Sequence, residues 1–359
     1  MKKIISIVLG VAALAACTKT SVSYEQPGEI ALAPVTRANM TKAAITGDVF
    51  PTGNDMGVYA YYNTGKTAGT AKADFLEGSA LYLNDVQFVN RNNTANWGGA
   101  TPYYWPKTGS LVFAAYSPKK AELAYDATGN SFSKTGYVQK TDLSKTVDLL
   151  WSPMTATSHD KATAAVPMKF YHAMSWITIK VKAANDDSKS KFRVKSIHLN
   201  NIIHKGSFVT SVDPDDNNII KWTPSTEAAD KETPLSVFNK AKSEDSHVVA
   251  TTAAVELEDA VRGTVVIPQT LGEDATLTIV FSQENPAGGF TADQNLTFKL
   301  KDCKVGTTAL DNWVNGKHYI YTLSFNIKGG EGEGDNNEIL IAPELEPWKD
   351  VTVNDINAK

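Results

Sequence analysis

Short segments in which apolar residues alternate with polar ones, or run almost unbroken between turn signals, recur along the chain. They lie at 56–62, 80–89, 110–116, 176–181, 193–199, 263–267, 275–281, 295–300 and 318–327. No stretch carries an apolar stripe of helical period for more than two or three turns. Residues 175–182 are the clearest strand: Ile177, Ile179 and Val181 fall on one face of an extended chain and Thr178, Lys180 and Lys182 on the other, the pattern of a sheet with one wet side. Strands without long intervening helices favour antiparallel sandwiches over a parallel sheet with crossover helices, and a barrel satisfies the same pattern. The expected fold class is all-β.

At 359 residues the chain is long for one core and has room for two domains. The polar break at 183–190, following a strong strand, divides it into an N-terminal β-sandwich at 38–186 and a C-terminal β-sandwich at 187–328. Other polar stretches, at 63–72, 90–100, 213–218 and 223–232, read as loops. With 24 Gly, 15 Pro and 9% aromatic residues, a collagen-like, coiled-coil or disordered chain is excluded. Lys and Arg number 35 against 39 Asp and Glu, with no basic run, so nucleic acid is not an expected partner.

Lys2 and Lys3 precede an apolar run, 4–16, that is too short to span a bilayer and has the layout of a secretory signal peptide. The run ends Leu14-Ala15-Ala16-Cys17, which resembles the bacterial lipobox, where small residues admit the signal peptidase and the cysteine thiol receives diacylglycerol. The resemblance implies that residues 1–16 are removed and that Cys17 carries enough acyl chain to hold the protein on a membrane. A plain signal peptide with an incidental cysteine is the alternative. If Cys17 is lipidated, Cys303 stands alone and each domain relies on its packed core.

Motifs for catalysis are missing. The six histidines occur singly, without the spacing that holds zinc, and no Gly-x-Ser-x-Gly elbow, Walker loop or dinucleotide fingerprint is present. Cys303 reads as an inert buried thiol, and 213–218 as a solvated turn, since it lacks the glycine and distal glutamate of a calcium loop. No enzyme activity, metal or cofactor is expected, although paired glycosidase carboxylates leave no mark in spacing. Trp97, Tyr103, Tyr104 and Trp105 either stack on sugar rings or are core residues leading into the strand at 111–116.

Two segments stand outside this body. One is 17–37, whose part 29–35 makes a short strand; the other, at 329–359, opens with a Gly-rich linker and continues into 338–345. The two strands resemble each other: Glu29-Ile30, Ala33 and Pro34 match Glu338-Ile339, Ala342 and Pro343.

The lipobox followed by Val35-Thr36-Arg37-Ala38 resembles the fimbrillins, the lipoprotein-derived pilins of Bacteroidales type V pili, and the likeness is to the Mfa-like group. It extends through Gly57-Val-Tyr-Ala-Tyr61, Tyr104-Trp-Pro106 with Leu111-Val-Phe-Ala-Ala-Tyr-Ser-Pro118, and Asp148-Leu-Leu-Trp-Ser152. Phe170-Tyr-His-Ala-Met-Ser-Trp-Ile177, Asn315-Gly-Lys-His-Tyr-Ile-Tyr321 and Pro347-Trp348 follow. The resemblance implies two tandem transthyretin-like antiparallel β-sandwich domains, export to the outer membrane and fimbrium, and cleavage by an Arg-specific protease after Arg37, leaving Ala38 as the new N-terminus. Lys42 lies nearby, and a lysine-directed protease would trim differently.

Excision would remove a strand bearing Ile30 and Leu32 and open an apolar groove. The tail, with Ile339, Ile341 and Leu345, is then the expected donor strand for a neighbouring subunit, self or another fimbrillin, by strand addition. The expected role is a stalk pilin supporting adhesion to a host or bacterial surface ligand. A pilus-anchor or surface glycan-binding lipoprotein is the alternative, and exposed Trp97 and Trp105 would favour the glycan reading.

Overall fold

The structure, a computed structural model, describes residues 28–35, 50, 53–91, 96–212, 218–240, 245–257, 264–285, 287–305 and 307–326, and the backbone of 338–347. The protein is all-β, as expected, and every alternating segment of the sequence is a strand. The two described α-helices, Lys72–Leu76 and Ala229–Glu232, are single turns.

The first sheet has eight strands: β1 (Ala31–Val35), β2 (Asp55–Asn63), β3 (Ala80–Val89), β4 (Trp97–Gly99), β5 (Ser110–Ser117), β8 (Leu150–Ser152), β9 (Val166–Lys169) and β10 (Tyr171–His172). Their hydrogen-bonded order is β10-β8-β5-β2-β3-β4-β1-β9. β9 and β10 lie at opposite ends of that path, yet only Phe170 separates them in the chain. The sheet must therefore curl until its ends meet, and β1 is one stave of the roll. Ile30, Leu32, Met56, Val58, Phe88, Trp97, Val166 and Phe170 fill the inside. β5 is buried along its whole length because both faces are covered: Leu111, Phe113 and Ala115 point into the roll, Val112, Ala114 and Tyr116 into a second core outside it. This accounts for its unbroken apolar sequence.

That outer core is roofed by a four-stranded sheet in the order β14-β13-β7-β6, comprising β6 (Ala124–Asp126), β7 (Ser131–Val138), β13 (Lys205–Val212) and β14 (Asn218–Pro224). Phe132 from β7, Phe208 from β13 and Trp222 from β14 reach into it, and Trp222 Nε1 donates to Ala173 O at 2.6 Å.

A third core lies between two further sheets. One contains β11 (Ser175–Ala183), flanked by Val255–Glu256 and β16 (Thr264–Val266) on one side and by β19 (Lys317–Asn326) and then β20 (Glu338–Pro347) on the other. The other is ordered β15-β12-β17-β18, from β12 (Phe192–Asn200), β15 (Leu235–Asn239), β17 (Thr276–Gln283) and β18 (Gln294–Lys299). Ile177, Ile179, Val194, Leu277, Tyr321 and Leu323 pack between them.

The sheets do not divide at the expected 186/187 boundary. β11 lies before it but pairs with β19, while β13 lies after it but pairs with β7. The break at 183–190 is a turn between two strands of neighbouring sheets, and local polarity carries no record of which sheet each strand joins. Pairing also departs from a purely antiparallel plan, since β1–β9 and β11–β19 run parallel. Both join segments far apart in the chain, where connection length no longer forces the antiparallel choice.

The polar face of β11 is only partly wet. Lys180 and Lys182 are half-buried, but Thr178 is buried, with its Oγ1 2.8 Å from His318 Nε2, and Trp176 stacks on the His318 ring at 3.5 Å and 6°. Trp176 also packs against the outer core. Burial first, and then Lys180, pushes the His318 pKa down from 6.5 to about 3. The unfolded chain takes up this proton near pH 6.5, so the stability tied to neutral His318 is complete above that value and is lost as pH falls toward 3. Between pH 7 and 4.5 the group is expected to cost about 2 kcal/mol. Denaturant midpoints at both pH values should fall further for the wild type than for His318→Gln; parallel losses would show that His318 is not held neutral.

Candidate assembly site

β1 is held as an interior strand. It pairs antiparallel with β4 through Ala31↔Gly98 and Leu32↔Trp97, and parallel with β9 from Leu32↔Val166 to Val35↔Lys169. Ile30 N–H donates to Tyr103 O at 2.8 Å, Trp105 N–H to Gly28 O at 3.0 Å and Phe170 N–H to Val35 O at 3.0 Å, so both ends are fastened. Alternation then sends Ile30, Leu32 and Pro34 inward, and the first two have no solvent exposure at all. Around them Phe50 meets Trp97 edge-on at 5.4 Å and Phe170 at 5.0 Å.

β4, a partner of β1, falls within the expected loop 90–100. Gly98 and Gly99 hide it from any propensity argument, yet Gly98 has a geometric reason. A Cβ there would sit 2.6 Å from Arg91 Nη2 and 3.0 Å from Glu29 Oε1, in the space taken by the Glu29–Arg91 ion pair. Nothing local in the sequence joins Glu29 to Arg91; only the register of β1 on β4 does.

β9 closes the site. In the sheet order it is the terminal strand, attached through β1. Excising β1 would leave a slot between β4 and β9 and unpaired ladder groups on both.

At the other end of the chain, β20 is the outermost strand of its sheet and pairs antiparallel with β19 over ten residues. Ile339, Ile341 and Leu345 stand opposite Phe325, Leu323 and Tyr319, all three of them buried. Cys17, Arg37 and Ala38 lie outside the described residues.

Among the described residues no group of three His, Cys, Asp or Glu side chains could hold a metal. His172 Nδ1 lies 2.6 Å from buried Asp148, which spends that pair inside the fold. Burial and then Asp302 push the Cys303 thiol up to about 11, and the side chain is only 4% exposed. An open cleft of about 600 Å³ is lined by Lys72, Ser152, Thr155, His159, Lys169 and Tyr171 among others, with no carboxylate among its described lining residues. Trp97 and Trp105 are 2% and 3% exposed, so they are core residues and not a sugar platform; of the four aromatics only Tyr104 is well exposed.

Solved structures match the chain at low identity. A candidate cell adhesion protein from Bacteroides uniformis matches with a TM-score of 0.49 and 15% identity, over 89% of this chain and 99% of that one. A second, from Bacteroides ovatus, gives 0.47 and 15% over 91% and 99%. A fimbrial protein from Bacteroides ovatus gives 0.36 and 14%, over 85% of this chain and 49% of that one. No curated protein matches the chain. The fimbrillin-like family, by contrast, matches continuously from residue 36 to residue 348, taking in every described strand from β2 to β20. A match of that length shows that this chain belongs to the fimbrillin-like family.

Proposed function

We propose that the chain is a structural pilin subunit of type V fimbriae, exported as a lipoprotein on Cys17, trimmed after Arg37 by an Arg-specific protease and joined head to tail by strand exchange. The observation that carries this reading is the placement of β1, an interior stave whose last residue, Val35, lies two positions before Arg37. Cutting there separates the stave from the rest of the chain without breaking any described strand.

Family membership supports a pilin or adhesin role at the cell surface, with other fimbrillin subunits as partners. The further steps rest on physical argument. The slot belongs to the first sheet and β20 to another, so a joint between them uses different surfaces of each subunit and is head to tail, the kind of contact that extends into a filament when the rotation between subunits does not close. Before trimming, the lipid on Cys17 would hold the subunit at the outer membrane. A pilus anchor that keeps its lipid is the second reading; the burial of Trp97 and Trp105 removes the support for a glycan-binding one.

The test uses chain 17–359 with Cys17→Ser, treated with limiting Arg-specific protease. We expect one early cut after Arg37, read by intact mass, followed by a ladder of oligomers on a native gel. Arg37→Gln should give neither. A trimmed wild type that stays monomeric would overturn strand exchange and favour an anchor.

A further inference from the structure

Once β1 is gone, the slot does not accept strands indifferently, because its two walls differ. On the β4 side, Arg91 lies across Gly98 and is paired with Glu29 at the start of β1; both side chains are about a third exposed. Farther along, Ile30 and Leu32 enter the core, followed by buried Pro34. Phe170 donates to Val35 O, which sets Ala33 and Val35 toward β9 and Pro34 away from it. Pairing with β4 runs only through Ala31 and Leu32, so among the described residues no ladder bond calls for the N–H that proline lacks. The slot thus asks for an acid, then apolar residues at alternate positions, then a residue for which proline is acceptable.

The pattern Glu-Ile-x-x-Ala-Pro occurs twice in the chain, at 29–34 and at 338–343. In the second copy Glu338 would take the place of Glu29, Ile339 of Ile30, Ile341 of Leu32 and Pro343 of Pro34. We propose that the incoming strand of a second copy of this chain replaces β1 in this one register and direction, parallel to β9, with Arg91 selecting it by pairing with Glu338. The proposal rests on the strand-exchange reading above and specifies what recognises the donor. A slip of one residue would turn Ile339 and Ile341 out of the core. A reversed strand that kept Ile341 in the Leu32 site would bring Glu344 to Arg91 but Pro343 to the Ile30 site, so direction is set by the side chains that enter the core and Arg91 fixes the register within it. Arg91 therefore acts against wrong registers more than it adds to affinity.

The test compares ladder growth after Arg-specific cleavage for the chain 17–359 (Cys17→Ser) and its Glu338→Lys, Arg91→Glu and double variants. Lysine at 338 adds no site for the protease, and Glu338→Lys leaves the Glu29–Arg91 pair of the uncut acceptor intact. Each single variant is expected to slow growth about tenfold at low salt, less at high salt, and the double variant to return within about twofold of the wild type. Wild-type growth by Glu338→Lys, or no recovery in the double variant, overturns the register while strand exchange stands. A wild-type chain that forms no ladder overturns the reading beneath it and this proposal together.

Discussion

Replacing Ile339 and Ile341 together by aspartate is expected to abolish oligomer ladders after cleavage at Arg37 while leaving the uncut monomer folded. In the proposed joint these residues take the sites of Ile30 and Leu32, which are sealed from water among Phe50, Phe88, Trp97 and Val166. A carboxylate brought there without a partner costs several kcal/mol, so two of them should lower polymer yield by a hundredfold or more. In the monomer the same positions lie on the outermost strand, and its detachment leaves the β11–β19 pairing untouched. Native gels give the ladder, and circular dichroism with a melting curve gives the fold. Normal polymers from the folded double variant would refute the donor role of 338–347.

The second large effect is expected from an empty slot. A chain cut after Arg37, lacking 338–359 and separated from its excised segment, should melt about 7 °C below the uncut chain that also lacks 338–359. Ile30 and Leu32 contribute about 1.5–3 kcal/mol each through burial, and β9 loses the strand that attaches it to the sheet. For a chain of this size about 5 kcal/mol corresponds to a shift of about 7 °C. A synthetic 338–347 peptide should restore most of the loss by binding only the folded form. An unchanged melting temperature would mean that β1 is a passenger and not a stave.

Alternation made the strands legible in the sequence. β2, β3, β12, β17 and β19 coincide with their expected segments to within one or two residues, because a period of two is a local property. Partner choice is not local. The Lys180 and Lys182 side of β11 reads as wet until β19 brings His318 beside Trp176 and Thr178. β4 is masked by its glycines, and β13 by the mixed sequence of a roof that covers one face only. For the assembly site, the matching ends at 29–34 and 338–343 were visible as residues, but the pairing of Glu29 with Arg91 needed the register of β1. Cys17, Arg37 and Ala38 remain readings of sequence motif, since they lie outside the described residues.

The parallel pairing of β11 with β19 bears on how such a subunit carries tension. In a filament joined as proposed, pull enters through the slot at β9, passes Phe170 and β10 into the N-terminal end of β11, and leaves from the C-terminal end of β19 toward the donor strand. These two strands lie side by side, run in the same direction and share eight residue pairs, Trp176↔His318 to Ala183↔Phe325. Drawn at opposite ends they are loaded in shear, so the rungs resist together instead of opening one by one. Rupture is then governed by the rate of crossing that shared barrier. In a filament joined as proposed, the strand order thus places a shear-loaded pair on the direct line between one joint and the next.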